Sequence, residues 1–282
     1  MKIVITGGSG FIGKNIVSHL LSKDHEILLL THQSKPQIKA NNLEIINCDI
    51  TNFDTLKSKK INNVDILLHL AAQSSGPKSF EIPEIDIKTN ILGTLNIMKW
   101  CNLNNIKRII FASSFTVYGD VFENDKIKEA FPCNPKSIYG LSKYTCENLL
   151  RIYGSPLDIE WNALRMFNVY GPGQDPKLKD QGMVNIFKEY IKNQDFIPIK
   201  GSLDRYRDFI YIDDVVNAWE ACLMNNKNPN KIYNLGSGEK TYISELLHCL
   251  IEKFARNRNI KIEEVGSTHG DIMGCYADMS KF

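Results

Sequence analysis

Residues 2–13 of the chain read Lys-Ile-Val-Ile-Thr-Gly-Gly-Ser-Gly-Phe-Ile-Gly, and this short stretch decides the fold. Its first half is a β-branched, apolar run that is typical of a buried strand. Glycines at positions 7, 10 and 13 then permit a tight turn and a close approach of the backbone to a pyrophosphate. Apolar residues at helical spacing follow, from Phe11 to Leu21. A strand, a glycine-rich turn and a helix in this order predict a dinucleotide-binding unit.

Similar apolar runs recur along the chain and alternate with helical patterns through about residue 165. The runs are continuous, which is typical of parallel strands that are covered on both faces. The predicted strands are residues 27–30, 43–46, 66–70, 108–112 and 159–164, and the clearest helices between them are 85–100 and 138–152. This order predicts an α/β fold with a doubly wound parallel (Rossmann) sheet.

Beyond this region the alternation loosens, starting at the loop Gly171-Pro172-Gly173. We predict a dinucleotide-binding domain over residues 1–166 and a smaller C-terminal lobe over 167–282, with residues of about 205–236 returning to the first domain. Within the lobe, helices are predicted at 184–192, 213–224 and 243–254, and short strands at 209–212 and 232–235. We expect Asp213 or Asp214 to cap the middle helix.

The composition is that of an ordinary globular protein and argues against several classes of partner. The 34 basic and 32 acidic side chains leave a formal charge of +2, which gives no reason to expect nucleic acid. No apolar run approaches the roughly 18 residues of a membrane span, so we expect no membrane partner. The seven cysteines are scattered without C-x-x-C spacing, so we expect no metal site and reduced thiols in the cytoplasm.

The residues after the second predicted strand bear on the choice between NAD and NADP. A dinucleotide site that prefers NAD usually has a carboxylate there for the ribose hydroxyls. This chain has Thr31, followed by His32, Gln33, Ser34 and Lys35. Without an acid, a 2′-phosphate would meet no repulsion, and His32, Ser34 and Lys35 are candidate contacts for it. The alternative is a polar loop that binds the ribose weakly.

Tyr139 and Lys143 lie four residues apart, hence on one face of a predicted helix. An ammonium near a phenol favours the phenolate, so we expect Lys143 to lower the pKa of Tyr139 towards neutrality. Ser113 and Ser114 follow a predicted strand, at the edge where open α/β sheets bind ligands. A serine there can hydrogen-bond the substrate oxygen that exchanges a proton with the tyrosine. Taken alone, the tyrosine and lysine would be a surface pair, but the glycine-rich turn upstream makes the combination specific.

Five further motifs follow along the chain. They are Cys48-Asp49-Ile50, His69-Leu70-Ala71-Ala72, Asn90 within Thr89-Asn90-Ile91-Leu92-Gly93-Thr94, Ser113 to Gly119, and Tyr139-Gly140-Leu141-Ser142-Lys143. With the glycine-rich turn, they resemble the extended short-chain dehydrogenase/reductase family, in particular its NAD-dependent epimerase/dehydratase members. The resemblance covers nearly the whole chain. It implies that the C-terminal lobe binds substrate, that the protein is a homodimer, and that relatives continue beyond residue 282, so we expect a shortened lobe.

The resemblance also implies which residues act. The catalytic residues would be Ser114, Tyr139 and Lys143. The cofactor would be NAD, with NADP possible, and its binding residues would be Gly7, Gly10, Phe11, Ile12, Gly13, Thr31, Asp49, Ile50, Leu70, Ala71, Ala72, Asn90, Ser113, Tyr139 and Lys143.

The substrate implied by the resemblance is a nucleotide-diphosphate sugar, bound by Ser114, Asn168, Arg207, Asp271 and Cys275. Asn168 and Arg207 match residues that hold the diphosphate, although Arg207 could instead form a surface ion pair with an aspartate. Asp271 matches an acid at the nucleotide ribose. Cys275 lies where epimerases restricted to hexoses have a bulky tyrosine, and a smaller residue leaves room for an N-acetyl group. A thiol that merely fills the core is the alternative for Cys275.

Two positions bear on the reaction. The 4,6-dehydratases of the family carry an Asp-Glu pair where this chain has Phe115 and Thr116, so we expect no dehydration. The resemblance then favours a 4-epimerase of a UDP-hexose or UDP-N-acetylhexosamine, acting through a transient 4-keto sugar in polysaccharide biosynthesis. An NADPH-dependent 4-ketoreductase is the alternative that the missing acid at Thr31 favours. A regulator that senses NAD(P) without catalysis is disfavoured because the whole catalytic triad is present.

Overall fold

The computed structural model describes residues 1–32, 38–121, 125–178, 180–225 and 227–282. Ser34 and Lys35, two candidate contacts for a 2′-phosphate, lie outside the described residues. The strands are β1 (Lys2–Thr6), β2 (Glu26–Thr31), β3 (Leu43–Asn47), β4 (Ile66–His69), β5 (Arg108–Ser114), β6 (Glu160–Met166), β7 (Asn168–Tyr170), β8 (Phe196–Ile199), β9 (Tyr206–Arg207), β10 (Phe209–Tyr211), β11 (Lys231–Leu235), β12 (Thr241–Tyr242) and β13 (Lys261–Glu264).

The helices are α1 (Phe11–Ser22), α2 (Phe53–Lys57), α3 (Gly76–Glu81), α4 (Pro83–Ile85), α5 (Gly93–Leu103), α6 (Ile138–Tyr153), α7 (Met183–Asn193), α8 (Ile212–Met224) and α9 (Ile243–Phe254). A π-helical segment, Asp86–Leu92, joins α4 to α5, and 3-10 turns occur at Phe115–Val117 and Ser155–Leu157. None of the helices within the described ranges is long and apolar enough to cross a membrane.

Within the described residues, seven parallel strands form one sheet in the order β3-β2-β1-β4-β5-β6-β11. The chain winds outward from β1 to one edge, returns to β4 beside β1, and then winds to the other edge. Loops that leave neighbouring strands at this reversal diverge and open a crevice, which is where such sheets bind ligands. The predicted doubly wound parallel sheet is confirmed.

Apolar layers cover both faces of the sheet, which explains why the strands are continuous apolar runs. On β1, Ile5 faces a layer that includes Trp219 of α8, whereas Val4 faces a second layer that includes Trp100 of α5. The edge strand β3 departs from this pattern, because Ile45 is 45% exposed. The interpretation of residues 43–46 as a strand covered on both faces was therefore wrong, and an apolar run alone does not distinguish an edge from a centre.

The C-terminal part builds a separate apolar core from α7, α9 and short strand pairs. Phe187, Ile191 and Leu247 are buried in it. The pairs are β7 with β10, β8 with β13, and β9 with β12, of which only β10 was predicted from the sequence. Strand β11 instead pairs with β6 in the main sheet. The domain boundaries given above remain a prediction.

Helix α8 begins differently from the expectation. Its N-cap is Tyr211, which makes no side-chain capping hydrogen bond, so the predicted cap by Asp213 or Asp214 was wrong. Both aspartates lie in the first turn of α8, where a negative charge interacts favourably with the helix dipole.

Candidate active site

The carboxyl ends of β1, β2, β4 and β5 border a cleft of about 740 Å³. Most of the predicted site residues line it, namely Gly7, Gly10, Phe11, Ile12, Gly13, Thr31, Asp49, Ile50, Leu70, Ala71, Ala72, Ser113, Ser114, Tyr139, Lys143 and Asn168. Four predicted site residues, Asn90, Arg207, Asp271 and Cys275, do not belong to its lining. One cleft thus joins the predicted cofactor-binding residues to the catalytic triad.

The glycine-rich turn shapes one end of the cleft. Gly7 has a φ of +72°, and a Cβ there would lie 2.5 Å from the backbone nitrogen of Ala71. A Cβ on Gly13 would collide with the carbonyl oxygen of Gly7. Gly10 is different, because among the described residues beyond its chain neighbours the nearest atom to its Cβ position is the same carbonyl oxygen, at 3.4 Å. Gly10 is also the N-cap of α1, so its open side leaves room for a phosphate at the helix N-terminus.

The two serines at the end of β5, Ser113 and Ser114, have different hydrogen-bonding partners. The hydroxyl of Ser113 donates to Oε1 of Glu147 across 2.5 Å, so its oxygen can only accept a hydrogen bond from the cleft. The oxygen of Ser114 accepts from the hydroxyl of Thr116 at 3.0 Å and from its backbone N–H at 3.3 Å. Its own hydroxyl hydrogen-bonds Tyr139. Ser114 is therefore oriented towards the tyrosine, and Ser113 away from it.

Tyr139 and Lys143 lie on one face of α6, as the spacing predicted. The Lys143 ammonium donates to the carbonyl oxygen of Ala112 at 2.8 Å, and its Nζ lies 5.9 Å from the centre of the Tyr139 ring. Burial lowers the pKa of Lys143 to about 8. Burial raises the pKa of Tyr139 to about 12, although the Ser114 hydrogen bond acts in the opposite direction. The expectation that Lys143 brings the pKa of Tyr139 towards neutrality was wrong, because desolvation by burial is the largest effect on this pKa and raises it.

A buried histidine orders the loop after β4. Thr94 donates its hydroxyl hydrogen to the Asn90 carbonyl and therefore accepts from Nε2–H of His69 at 3.0 Å. Nδ1 of His69 then accepts from the hydroxyl of Thr6 at 2.7 Å, and the oxygen of Thr6 accepts from the backbone N–H of Ala71 at 3.1 Å. This series of hydrogen bonds indicates that His69 is neutral and carries its proton on Nε2. Burial and the charge of Lys143 agree with it, because they lower the pKa of His69 to about 3.

The part of the cleft beside β2 and β3 differs in one respect from the expectation that no acid lies there. Thr31 ends β2 as predicted, with His32 after it. Nε2 of His32, however, lies 3.8 Å from a carboxylate oxygen of Asp49, which follows β3. Thr31, His32, Asp49 and Ile50 all line the cleft. An acid therefore does border this part of the cleft, but it is Asp49 after β3 and not a residue at the end of β2. Its carboxylate would repel a 2′-phosphate.

Asn90 lies behind the wall of the cleft. Its amide nitrogen donates to the Ser142 hydroxyl at 2.8 Å and lies 3.1 Å from the carbonyl oxygen of Gln73. Its amide oxygen accepts from the backbone N–H of Gln73 at 2.8 Å. The residue thus fixes the loop after β4 against α6, and its predicted contact with a cofactor stays a prediction.

The predicted substrate residues outside the cleft form a cluster of their own. Nη2 of Arg207 donates to Asp271 at 2.6 Å, and Arg205 forms a second ion pair with the same carboxylate. Arg207 is 4% exposed and Asp271 is partly exposed, so the ion pair has a buried guanidinium and is not a surface pair. Cys275 is 1% exposed and packs among apolar residues that include Phe167. The roles of these residues towards a substrate remain predictions.

Four polar residues that line the cleft or contact predicted site residues were not identified from the sequence: Asp86, Thr116, Glu147 and Arg205. Glu147 carried a usable signal, because it lies one turn beyond Lys143 on the same helix face. Thr116 was treated only as a residue unfit for dehydration. Asp86 and Arg205 carried no signal, because the long-range packing that buries them is not visible in sequence spacing.

The residues present fit a dinucleotide. The open side of Gly10 accepts a pyrophosphate, the carboxylate of Asp49 suits nucleoside hydroxyl and amino groups, and Ser113 offers a fixed acceptor near the triad. Within the described residues, no group of three or more histidine, cysteine, aspartate or glutamate side chains is arranged to hold a metal ion.

Comparisons with known proteins agree with this geometry. The sequence profile of the NAD dependent epimerase/dehydratase family matches residues 3–236. A putative UDP-glucose 4-epimerase of Methanocaldococcus jannaschii is 35% identical over 284 residues, which span 99% of this chain and 90% of the relative.

Solved structures of UDP-sugar 4-epimerases also resemble this chain. A UDP-glucose 4-epimerase of Thermus thermophilus in complex with NAD superposes with a TM-score of 0.88 at 29% identity, covering 100% of this chain and 91% of that one. A UDP-N-acetylglucosamine 4-epimerase of Methanobrevibacter ruminantium in complex with UDP-N-acetylmuramic acid gives 0.89 at 30% identity, covering 99% and 90%.

Proposed function

The chain belongs to the NAD-dependent epimerase/dehydratase family, and from this premise we propose that it is a nucleotide-sugar 4-epimerase that uses NAD. The substrate is a UDP-hexose or UDP-N-acetylhexosamine, which passes through a transient 4-keto sugar. The observation that carries this proposal is a single cleft that is lined both by Ser114, Tyr139 and Lys143 and by the glycine-rich N-terminus of α1.

Bound NAD would supply a hydride acceptor and then a hydride donor at C4 of the sugar. Tyr139 accepts the proton of the 4-hydroxyl when the keto sugar forms and returns a proton when the hydroxyl is restored. Ser114 hydrogen-bonds the same sugar oxygen, and Thr116 holds the Ser114 hydroxyl in place. The positive charge of Lys143, 5.9 Å from the centre of the Tyr139 ring, stabilises the negative charge of a tyrosinate, although burial keeps the pKa of Tyr139 above its ordinary value. No other acid or base is required, because the reverse hydride transfer to the opposite face of the ring completes the epimerisation.

The residues next to the triad support epimerisation over dehydration. Phe115 stacks on Phe167, with ring centres 5.3 Å apart, and offers no acid or base. Thr116 uses its hydroxyl hydrogen on Ser114. Elimination of water would need a proton donor and a base at these two positions, so these residues favour reduction of the 4-keto sugar over its dehydration.

The direct test incubates the purified protein with UDP-glucose and with UDP-N-acetylglucosamine, with and without NADPH, and follows the products by NMR. We expect the C4 epimer to form without added NADPH. Stoichiometric NADPH consumption on a 4-keto sugar, with no epimer formed, would instead establish the 4-ketoreductase. Thr31 at the end of β2 is the observation that favours this second candidate, and the nearby Asp49 carboxylate opposes it.

We further propose a homodimer formed through the π-helical segment and α6. Ile87, Leu92, Leu141 and Ile152 are between 40% and 63% exposed, an unusual degree for apolar side chains on packed helices. A second copy of the chain would cover them. Size-exclusion chromatography with light scattering should give twice the mass of the chain, and Leu141→Glu should give a monomer.

Two finer assignments complete the proposal. The protein acts in the cytoplasm, as suggested by seven free cysteines, five of them buried. Its product serves polysaccharide biosynthesis, because a nucleotide sugar is an activated donor for glycosyl transfer. Cell fractionation tests the first assignment, and the sugar composition of surface polysaccharide in a deletion strain tests the second.

A further inference from the structure

Asp86 is a fully buried carboxylate without a cationic partner. It lies at the start of the π-helical segment and is 0% exposed. Its side-chain donors are two neutral amides, Nε2 of Gln73 at 2.8 Å and Nδ2 of Asn90 at 3.2 Å. No described lysine, arginine or histidine forms an ion pair with it. Burial of an unpaired charge is costly, so a carboxylate at such a position calls for a compensating charge nearby.

Lys143 is a buried ammonium that likewise has no ion-pair partner among the described residues. Its ammonium is 3% exposed, donates to the neutral carbonyl of Ala112, and forms no ion pair with a described acidic residue. A hydrogen-bonded path leads from Asp86 to the residue before Lys143, because Asn90 binds both the Asp86 carboxylate and the hydroxyl of Ser142. Two unpaired charges of opposite sign are therefore buried on either side of this path.

We propose that Asp86 is a positioning residue whose negative charge balances that of Lys143 across the Asn90–Ser142 contact and keeps the Lys143 side chain protonated. This inference rests on the proposed function for its catalytic meaning, but not for its electrostatics. Removing the carboxylate leaves Lys143 as a buried charge without compensation, and the lysine then loses its proton at lower pH.

The pKa directions agree with this assignment. Asp86 raises the pKa of Lys143 against the opposing effect of burial. Burial raises the pKa of Asp86 overall, and the hydrogen bond from Gln73 and the charge of Lys143 oppose this rise. Asp86 also raises the pKa of Tyr139, so its carboxylate influences both partners of the catalytic pair.

Other groups face Lys143 and do not replace Asp86. Glu147 on the same helix also raises the pKa of Lys143, but its carboxylate is neutralised by Arg165 at 2.7 Å. Cys146 acts in the same direction, but burial raises the pKa of its thiol, so it remains neutral. His69 from β4 is neutral, and the Phe111 ring from β5, 4.9 Å from Nζ, carries no net charge. Asp86 is thus the uncompensated negative charge on this side of the lysine.

The test compares Asp86→Asn with Glu84→Gln, which removes an exposed carboxylate two residues away. Protein labelled with [ε-13C]lysine is titrated by NMR, with Lys143→Met to assign the signal. We expect Lys143 of Asp86→Asn to titrate about half a pH unit or more below the wild-type value, and Glu84→Gln to match wild type. An unchanged Lys143 titration in folded Asp86→Asn overturns the proposal.

A reciprocal measurement decides the question if Asp86→Asn does not fold. In Lys143→Met, the Asp86 carboxyl, followed by [γ-13C]aspartate NMR, should titrate at higher pH than in wild type, because it has lost its balancing charge. An identical Asp86 titration in both proteins contradicts the proposal. Neither titration uses a sugar substrate, so a wild-type protein without epimerase activity would refute the proposed function while leaving these results interpretable.

Discussion

Glu147 of α6 holds two partners from neighbouring strands with one buried carboxylate: it accepts from Ser113 at the end of β5 at 2.5 Å and from Arg165 of β6 at 2.7 and 2.9 Å. Both members of the ion pair are at most 3% exposed. A buried ion pair seldom stabilises a protein more than an apolar pair would, but removal of one member leaves a buried charge. The position of this pair behind Ser113 suggests that it fixes the wall of the cleft.

Glu147→Gln should therefore destabilise the protein by about 3–5 kcal/mol, since Arg165 stays charged and buried. The double variant Glu147→Gln/Arg165→Met should recover most of this loss. Ser113→Ala, which keeps the ion pair but removes a hydrogen bond to a carboxylate, should cost less, about 1.5–3 kcal/mol. Urea unfolding measures all three. If Glu147→Gln is as stable as Glu147→Gln/Arg165→Met, the unpaired charge of Arg165 is not the cause of the destabilisation.

Gly10 and Gly13 should respond to alanine in opposite ways. Gly13→Ala forces a Cβ onto the carbonyl of Gly7 and should lower stability by about 1–3 kcal/mol. Gly10→Ala meets no protein atom closer than 3.4 Å, so its stability should stay within about 0.5 kcal/mol of wild type. Its added methyl group should nevertheless weaken NAD binding, as calorimetry would detect. Full NAD affinity in Gly10→Ala would argue that the pyrophosphate does not approach this glycine.

Tyr139→Phe should reduce the epimerisation rate by about 10²–10⁴-fold, because the proton-transfer group is lost. NAD content after purification should stay the same, which separates catalysis from cofactor binding. Thr116→Val should lower the rate only about 5- to 10-fold, because Ser114 loses one orienting hydrogen bond and keeps its hydroxyl. A Tyr139→Phe protein with the wild-type rate would exclude the assigned role of the tyrosine.

Stability should fall in acid because of His69. Its pKa is about 3 in the folded chain and 6.5 in its ordinary state, so between these values only the unfolded state binds the proton. Stability is therefore lost as the pH falls below about 6.5, by up to about 1.4 kcal/mol per unit from this residue. His69→Gln should unfold with a shallower pH dependence, measured by urea titration from pH 7 to 5. His248→Gln, at an exposed helical position, is the matched control and should retain the wild-type slope.

The parts of the molecule that could be predicted from sequence are those in which local chemistry fixes the structure. The turn at Gly7 and the spacing of Tyr139 and Lys143 depend on backbone conformation and helical period alone, and both are confirmed in the structure. The short strand β9, which carries Arg207, was missed because two residues that pair with a distant segment leave no periodic pattern.

The electrostatics of the site could not be predicted for a related reason. The spacing of Tyr139 and Lys143 gives the sign of their interaction, but the pKa of Tyr139 depends on how completely neighbouring elements exclude water from it. In the same way, Asp49 comes to lie beside His32 only because β3 pairs with β2. Both effects are set by packing between segments that are remote in sequence.

Strand β11 has a consequence for the order of events during synthesis. The residues of β6 emerge from the ribosome before their partners, since Asn162 pairs with Lys231 and Met166 with Leu235. Until β11 is made, the backbone N–H and C=O groups along one side of β6 have no strand to pair with, and such an open edge promotes aggregation. A fragment ending at residue 166 should therefore depend on chaperones or form inclusion bodies. Residues 1–166 would then acquire their final stability only after residues 231–235 have been translated.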